Sequence, residues 1–167
     1  MRRALALLLA AVSIIAAAPH PTTVILVRHA EKAGPTGDVP LSDAGRERAK
    51  ELKRVVSSMG VTAIYVTQYL RTQQTAEPLA ESLKIKPTVL GTTTTYPEDL
   101  VKDIEKNHAG ETVVVVSHSN LLPDVLRALG ITDPPTIGDN QYDDLFIVTK
   151  VGTAPILWPL RYGLVAR

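Results

Sequence analysis

Two apolar stretches of this chain end directly in residues that can bind and attack an anion. The run from Val24 to Val27 is followed by Arg28 and His29, and the run Val113–Val116 is followed closely by His118. Consecutive apolar residues, most of them β-branched, are typical of strands that are buried on both faces. Ligands of open α/β sheets bind outside the carboxyl ends of the strands. The sequence therefore predicts an anion site where these two strands end.

The elements that must position these residues alternate between strands and helices along the 167-residue chain, which is long enough for one domain. Apolar patterning predicts strands over residues 23–28, 63–66, 89–90 and 112–117. Helical spacing predicts helices that begin after Ser42, over residues 70–83 with a kink or early break at Pro78, over 97–107 and over 121–129. Two last strands, 145–149 and 156–160, are joined by a turn near Gly152. Such alternation predicts a three-layer α/β/α sandwich, with a mainly parallel sheet and an antiparallel edge.

Three segments, in this order and on these elements, resemble the histidine phosphatase (phosphoglycerate mutase-like) superfamily. They are Arg28-His29-Ala30-Glu31, Arg71 with Thr75-Ala76, and Ser117-His118-Ser119-Asn120. The stretch from Pro40 to Gly45 is also similar to the segment that opens the first helix of that family. The resemblance implies a phosphoglycerate mutase-like fold over residues 22–167. It also implies a compact phosphatase, because the chain lacks the long insertions of larger members.

The chain departs from the family pattern at three small residues. Ala30 and Ser117 stand where many members have glycine, and Thr67 stands where a serine is frequent. Each replacement is small, so we expect the pocket to be preserved.

The residue types themselves support phosphoryl transfer. A neutral imidazole is a nucleophile that can carry a phosphoryl group, and His29 is the candidate. Arg28 and Arg71 can each donate two hydrogen bonds to phosphate oxygens, and their charges favour a neutral His29. His118 can add a further donor to the transferring group. This chemistry needs no metal and no cofactor.

Other residues are predicted at the same site with less defined roles. Ser119 and Asn120 follow His118 and are expected to bind phosphate. Glu31 is expected among the phosphate-binding residues, hydrogen-bonded within the pocket, and is a further candidate for the proton donor. Glu98 is the candidate proton donor for the leaving oxygen, with its neighbour Asp99 as an alternative, although both acids also suit the start of a helix.

Several polar residues have simpler interpretations. The basic residues of the first helix are expected on its solvent face: Arg46, Arg48, Lys50, Lys53 and Arg54. Tyr69, Tyr96 and Tyr142 could line the mouth of the pocket or pack elsewhere. The pair Asp143-Asp144 is expected to mark the turn before a strand.

Three other functions fit parts of the sequence. A phospho-ligand binding protein without turnover would keep the pocket but would not require an exposed nucleophile. A metal-dependent hydrolase could use His29, Glu31 and His118, although the two arginines would repel a cation. A mutase would have to retain the phosphoryl group. The expected partner is a phosphorylated small molecule or a phosphoprotein, and the sequence leaves the choice open.

The first 18 residues differ from the rest. Arg2 and Arg3 precede an uncharged apolar run that ends in three alanines, which is typical of a secretory signal peptide, with an uncleaved anchor as the alternative. Its loss changes the formal net charge from +1 to −1, which offers no general field for nucleic acid. We expect an exported protein, periplasmic or secreted, with no stable membrane insertion after cleavage.

Overall fold

A computed structural model describes residues 20–151 and 154–163 of the chain. The predicted signal peptide (residues 1–18) and the turn near Gly152 lie outside the described residues. Within them, no helix is both long and apolar enough to cross a membrane. The elements are β1 (Thr22–Arg28), α1 (Asp43–Val56), β2 (Val61–Thr67), α2 (Leu70–Leu83), β3 (Thr88–Leu90), α3 (Tyr96–Asn107), β4 (Thr112–Ser117), α4 (Leu122–Ala128), β5 (Asp144–Val151) and β6 (Ala154–Arg161).

The six strands form one sheet in the order β3-β2-β4-β1-β5-β6. The four strands β3, β2, β4 and β1 are parallel, whereas β5 and β6 are antiparallel to their neighbours. The central strands are buried on both faces because helices cover both sides. The predicted mainly parallel sheet with an antiparallel edge is confirmed.

Two apolar cores separate the three layers. One core packs α3 and α4 against one face of the sheet, with Leu100, Ile104 and Leu126 among its fully buried side chains. The other core packs α1 and α2 against the opposite face, with Leu52 and Leu79 buried there. The predicted α/β/α sandwich is therefore confirmed.

The register of β1 on β4 determines where the predicted site residues meet. Arg28 lies opposite Ser117 in this parallel pair. The backbone N–H of His29 then donates to the carbonyl of Ser117 over 2.8 Å. The two strands end at the same level, so His29 and His118 leave the sheet side by side.

The start of α1 packs tightly against the chain that leaves β1. Ser42 caps the helix, as predicted, and its hydroxyl accepts from the Gly45 N–H over 3.1 Å. A Cβ atom at Gly45 would lie 2.2 Å from the carbonyl oxygen of Glu31, so this position requires glycine. At the other end, the helix stops at Val56, and Met59 just beyond it is 36% exposed.

Helix α2 is joined to the end of β1 by one side chain. Thr75 accepts the N–H of Ala30 over 2.9 Å and donates to the Arg71 carbonyl over 2.7 Å. The helix continues through Pro78 to Leu83, so the predicted early break is wrong. Thr75 therefore sets the position of the helix turn that carries Arg71 relative to His29.

Candidate active site

Four predicted residues lie together at the carboxyl ends of the central strands. Arg28 and His29 end β1, His118 follows β4, and Arg71 lies in the first turn of α2. The imidazole rings of His29 and His118 have centroids 5.3 Å apart. The Nη2 atom of Arg71 lies 3.4 Å from Nδ1 of His118. The structure thus brings Arg28, His29, Arg71 and His118 together at one edge of the sheet.

His29 is held in one tautomer by its own neighbour. Its Nδ1 lies 2.8 Å from the carbonyl oxygen of Ala30, which can only accept a hydrogen bond. Nδ1 therefore carries the proton, and the lone pair of the neutral ring is on Nε2. Burial, together with the smaller effects of the Arg28 and Arg71 charges, lowers the pKa of His29 to about 4. The ring is neutral and nucleophilic at neutral pH.

His118 is oriented by a buried chain of hydroxyl groups. Because the Arg71 guanidinium can only donate, Nδ1 of His118 accepts and Nε2–H donates to Thr67 Oγ1 over 2.9 Å. The Thr67 hydroxyl can then donate to Thr72 Oγ1 at 3.0 Å, and Thr72 donates to the Tyr69 carbonyl over 2.8 Å. Nδ1 is therefore the nitrogen of His118 that is turned towards Arg71.

We expect the two buried histidines to make the fold sensitive to acid. Burial is the main cause that lowers the pKa of His118 to about 3 and that of His29 to about 4, and both values include smaller effects of neighbouring positive groups. In the unfolded chain these two histidines take up protons at about pH 6.5, the ordinary pKa of the imidazole. The free energy of unfolding should therefore be highest above that pH and should decrease as the pH falls towards 4.

Denaturant unfolding at about pH 7.5 and about pH 5 measures this effect. In the double variant His29→Asn, His118→Asn, the loss of stability between the two pH values should be much smaller. An equal loss in both proteins would contradict the assignment of the acid sensitivity to these rings.

Arg28 organises the loop that follows α4. Its Nη1 atom lies within 3.1 Å of the carbonyl oxygens of Gly138, Asp139 and Gln141. Its guanidinium carbon lies 4.1 Å from the centre of the Tyr142 ring, a cation–π contact. Burial lowers the pKa of Arg28, and its buried Nε makes no hydrogen bond to a described residue. The sequence analysis placed residues 132–141 in a loop but gave no indication that this loop binds Arg28.

Arg71 is held between a tyrosine and a carboxylate. Its guanidinium carbon lies 4.3 Å from the Tyr69 ring centre, and its Nη1 lies 3.9 Å from Oδ1 of Asp38. That same Oδ1 accepts the N–H of Leu70 over 2.8 Å and so caps the start of α2. The buried Nε of Arg71 has no partner among the described residues. Asp38 was not predicted at the site, because it is 32 residues from Leu70 and no local pattern links them.

The carboxylate of Glu31 forms an ion pair with an arginine of α1. Arg48 Nη2 lies 2.7 Å from Glu31 Oε1, and Arg48 Nε lies 3.0 Å from both carboxylate oxygens. The prediction that Arg48 lies on the solvent face of α1 is wrong, because its side chain is only 6% exposed. The Glu31 carboxylate is already engaged and would repel a phosphoryl group, so we leave it out of the phosphate-binding set.

The other predicted site residues lie near the strand ends without a defined contact. Ser119 and Asn120 form the turn between β4 and α4, and their side chains make no hydrogen bond to a described residue. Glu98 is exposed in the first turn of α3 and makes neither a hydrogen bond nor an ion pair with the described residues. Asp99, also exposed, accepts from Thr95. The roles of Ser119, Asn120 and Glu98 stay predictions.

The three tyrosines take different positions. Tyr142 and Tyr69 border the two histidines, with ring centroids 6.1 Å from His29 and 5.3 Å from His118, respectively. Tyr96 is instead buried, and its hydroxyl donates to Ser117 Oγ over 3.1 Å. This contact gives the extra hydroxyl of Ser117 a partner at a position where glycine is common.

The acidic pair at the start of β5 is buried rather than a simple turn marker. Asp143 and Asp144 are each 5% exposed, and Arg161 of β6 lies 2.7 Å and 3.2 Å from their respective carboxylates. Burial raises the pKa of Asp144. Among the described residues, no group of three or more histidines, aspartates or glutamates is arranged to hold a metal ion.

Comparisons with known proteins agree with this geometry. The model of the histidine phosphatase superfamily (branch 1) matches residues 24–92, which include Arg28, His29 and Arg71. A comparison with curated protein sequences gave no match. This match begins in β1 and ends just beyond β3.

Solved structures with the same fold include several phosphatases, all of low sequence identity to this chain. The protein histidine phosphatase SixA, complexed with tungstate, is 16% identical, with a TM-score of 0.66 over 83% of this chain and 96% of that chain. A phosphoserine phosphatase from Entamoeba histolytica is also 16% identical, with a TM-score of 0.65 over 81% and 94%. A mycobacterial glucosyl-3-phosphoglycerate phosphatase is 15% identical, with a TM-score of 0.64 over 83% and 97%. The fold is that of the phosphoglycerate mutase-like phosphatases.

Proposed function

We propose that this protein is a phosphatase that hydrolyses phosphate monoesters or phosphohistidine through a phosphohistidine intermediate on His29. The observation that carries the proposal is that the two arginines beside His29 each have a buried N–H donor without a hydrogen-bond acceptor. Among the described residues, four buried side-chain polar atoms have no partner, and two of them are the Nε atoms of Arg28 and Arg71. A buried guanidinium N–H without an acceptor is costly, and phosphoryl oxygens would satisfy both.

In the first step, Nε2 of His29 attacks phosphorus. The new P–N bond forms as the bond to the leaving oxygen breaks, and the electron pair departs with that oxygen. Arg28 and Arg71 together offset the charge of the dianionic phosphoryl group, which is the main demand of this reaction. The hydrogen bond from Nδ1 to the Ala30 carbonyl stabilises the positive charge that develops on the ring.

In the second step, water attacks the phosphorus atom of phosphohistidine. The P–N bond breaks, its electron pair returns to Nε2, and inorganic phosphate is released. The proton of the attacking water leaves with the phosphate or passes to solvent. His29 is then neutral again and ready for another cycle.

His118 can donate to the phosphoryl group only after it takes up a proton. Its Nε2–H is engaged by Thr67, and its Nδ1 accepts from Arg71 in the structure described here. A bound phosphoryl dianion raises the pKa of an adjacent imidazole. Substrate binding would thus charge His118 and make Nδ1–H a donor, and the same proton could pass to the leaving oxygen.

A panel of phosphorylated compounds tests the proposal against its two alternatives. We expect the purified protein to release phosphate from at least one ester, with p-nitrophenyl phosphate as the general probe. A chelator should leave the rate unchanged, because no step requires a metal. Loss of activity with chelator, restored by a divalent ion, would favour a metal-dependent hydrolase. Tight binding without any turnover would favour a phospho-ligand binding protein.

We also propose that the protein is exported. The support is the sequence of the first 18 residues, in which Arg2 and Arg3 precede an apolar run that ends in Ala16-Ala17-Ala18. Cleavage is expected within or just after these alanines, before the protein reaches the periplasm or the medium. The intact mass of the protein isolated from the producing cell measures this, and a chain that begins at Met1 would contradict it.

A further inference from the structure

Two exposed carboxylates lie beside the two arginines of the candidate site, one near each guanidinium. Asp38 lies 3.9 Å from Arg71, and its side chain is 49% exposed. The backbone carbonyl of Asp139 accepts from Arg28 Nη1 over 2.8 Å, and its exposed carboxylate favours the charged form of the same guanidinium. The Asp139 carboxylate makes no hydrogen bond or ion pair with the described residues. We refer to Asp38 and Asp139 together as the acidic rim.

The positive charges of the site are already used by the phosphoryl group. Arg28 and Arg71 carry two charges, which match those of a phosphoryl dianion. A third cation, Lys32, acts on His29 from the loop after β1, where its Nζ donates to the Pro35 carbonyl over 2.8 Å. With the phosphoryl group bound, two positive charges remain, on Lys32 and on the protonated ring of His118. The two charges of the acidic rim match them, which leaves no net positive charge to attract an acidic leaving group.

The other acids that influence Arg28 each lie beside another arginine, and Asp144 is buried and shares its arginine with Asp143. Glu31 is paired with Arg48, and Asp144 lies 3.2 Å from Arg161. Of the carboxylates near Arg28 and Arg71, those of the acidic rim are therefore the ones that a substrate entering the site would meet.

The walls beside the histidines are aromatic. Tyr142 covers Arg28 on the side of His29, and Tyr69 covers Arg71 on the side of His118. Both rings are partly exposed. They offer apolar contact, with no additional cation, to the part of a substrate that lies beyond the phosphoryl group.

We propose that the acidic rim selects substrates whose leaving group carries no negative charge, an inference that rests on the phosphatase function proposed above. Neutral, cationic or flat aromatic leaving groups fit between the two tyrosines. A leaving group with a carboxylate would be repelled, since like charges that meet across a binding surface are strongly unfavourable.

Two readily available phosphate esters differ by a single carboxylate group. O-phosphoethanolamine is O-phosphoserine without its carboxylate. At low ionic strength, we expect kcat/KM for phosphoethanolamine to exceed that for phosphoserine by about tenfold or more. Phenyl phosphate and 3-carboxyphenyl phosphate form a second pair and should show the same order. Added salt should reduce both ratios, because the rim is exposed and its charges are screened.

The double variant Asp38→Asn, Asp139→Asn should bring both ratios close to one. Asparagine at position 38 keeps an oxygen that can accept the Leu70 N–H, so the cap of α2 is retained while the charge is lost. Glu105→Gln is the matched control, since it removes one carboxylate that pairs with Lys150 at the opposite end of the sheet. This control should retain the native ratios.

A higher kcat/KM for phosphoserine, or native ratios in the rim variant, would overturn the inference. If no ester is hydrolysed, the phosphatase proposal fails separately, and calorimetric binding of the same two pairs still tests the rim. Weaker binding of the carboxylated member of each pair would support selection by the rim. Equal or tighter binding would overturn it.

Discussion

His29→Ala should release no phosphate and should carry no covalent phosphoryl group. The native protein, mixed briefly with a substrate labelled in its phosphate and quenched in alkali, should carry the label on His29. The physical reason is the fixed tautomer, which leaves Nε2 with a free lone pair in a ring whose pKa is lowered to about 4. A phosphorus–nitrogen bond on histidine survives alkali and hydrolyses in acid, whereas phosphoserine behaves in the opposite way. The chemical stability of the label therefore identifies the type of residue.

His20→Ala is the matched control for this experiment. His20 is exposed ahead of β1, and its removal deletes a histidine without changing the site. This variant should retain both the label and the turnover. Label on a serine, or full activity in His29→Ala, would refute the covalent mechanism.

The meeting of four site residues could be predicted from the sequence because strand ends are local features. Arg28-His29 and His118 each follow an apolar run, and parallel strands bring such ends to one edge of the sheet. Arg71 does not follow a strand, and its place at the site was predicted only from the family resemblance. The tautomers of the two histidines could not be predicted, because they depend on Thr67 and on the Ala30 carbonyl in three dimensions.

Arg48 shows where a general rule about charge failed. Charged residues of a surface helix are usually solvated, so Arg48, one of five basic residues of α1, was expected on the solvent-exposed face. Yet Arg48 lies three residues after Gly45 and four before Leu52, and both of these are buried. Helical spacing therefore placed it on the buried stripe, where a partner is required. That partner, Glu31, is 17 residues away, beyond the reach of a local pattern.

The loop that holds Arg28 illustrates a different limit. Gly138, Asp139 and Gln141 contribute backbone carbonyls, so their side chains give no sign of the contact. The sequence therefore predicts that these residues form a loop but not which strand end the loop covers. The same holds for Asp38, whose helix-capping role depends on a contact across 32 residues.

Arg71→Lys should lower kcat/KM by at least about 10²-fold, the scale of losing one donor that stabilises charge in the transition state. Lysine keeps the positive charge but loses the planar fork, the Nε donor and the stacking on Tyr69. It also changes the cation that holds Nδ1 of His118 in an accepting state. Because the phosphoryl oxygens gain most from these donors in the transition state, kcat should fall more than KM rises.

Steady-state kinetics with p-nitrophenyl phosphate measures the effect, and Arg54→Lys provides the control. Arg54 lies exposed on α1, where it pairs with Glu51, so the same chemical change there should leave the kinetics close to native. A rise in KM with unchanged kcat would show that Arg71 binds substrate and transition state equally well. Native kinetics in Arg71→Lys would place this arginine outside the reaction. A large loss of kcat confined to Arg71→Lys would instead assign its guanidinium to the transferring phosphoryl group, because the charge is the same in both side chains and only the directed donors differ.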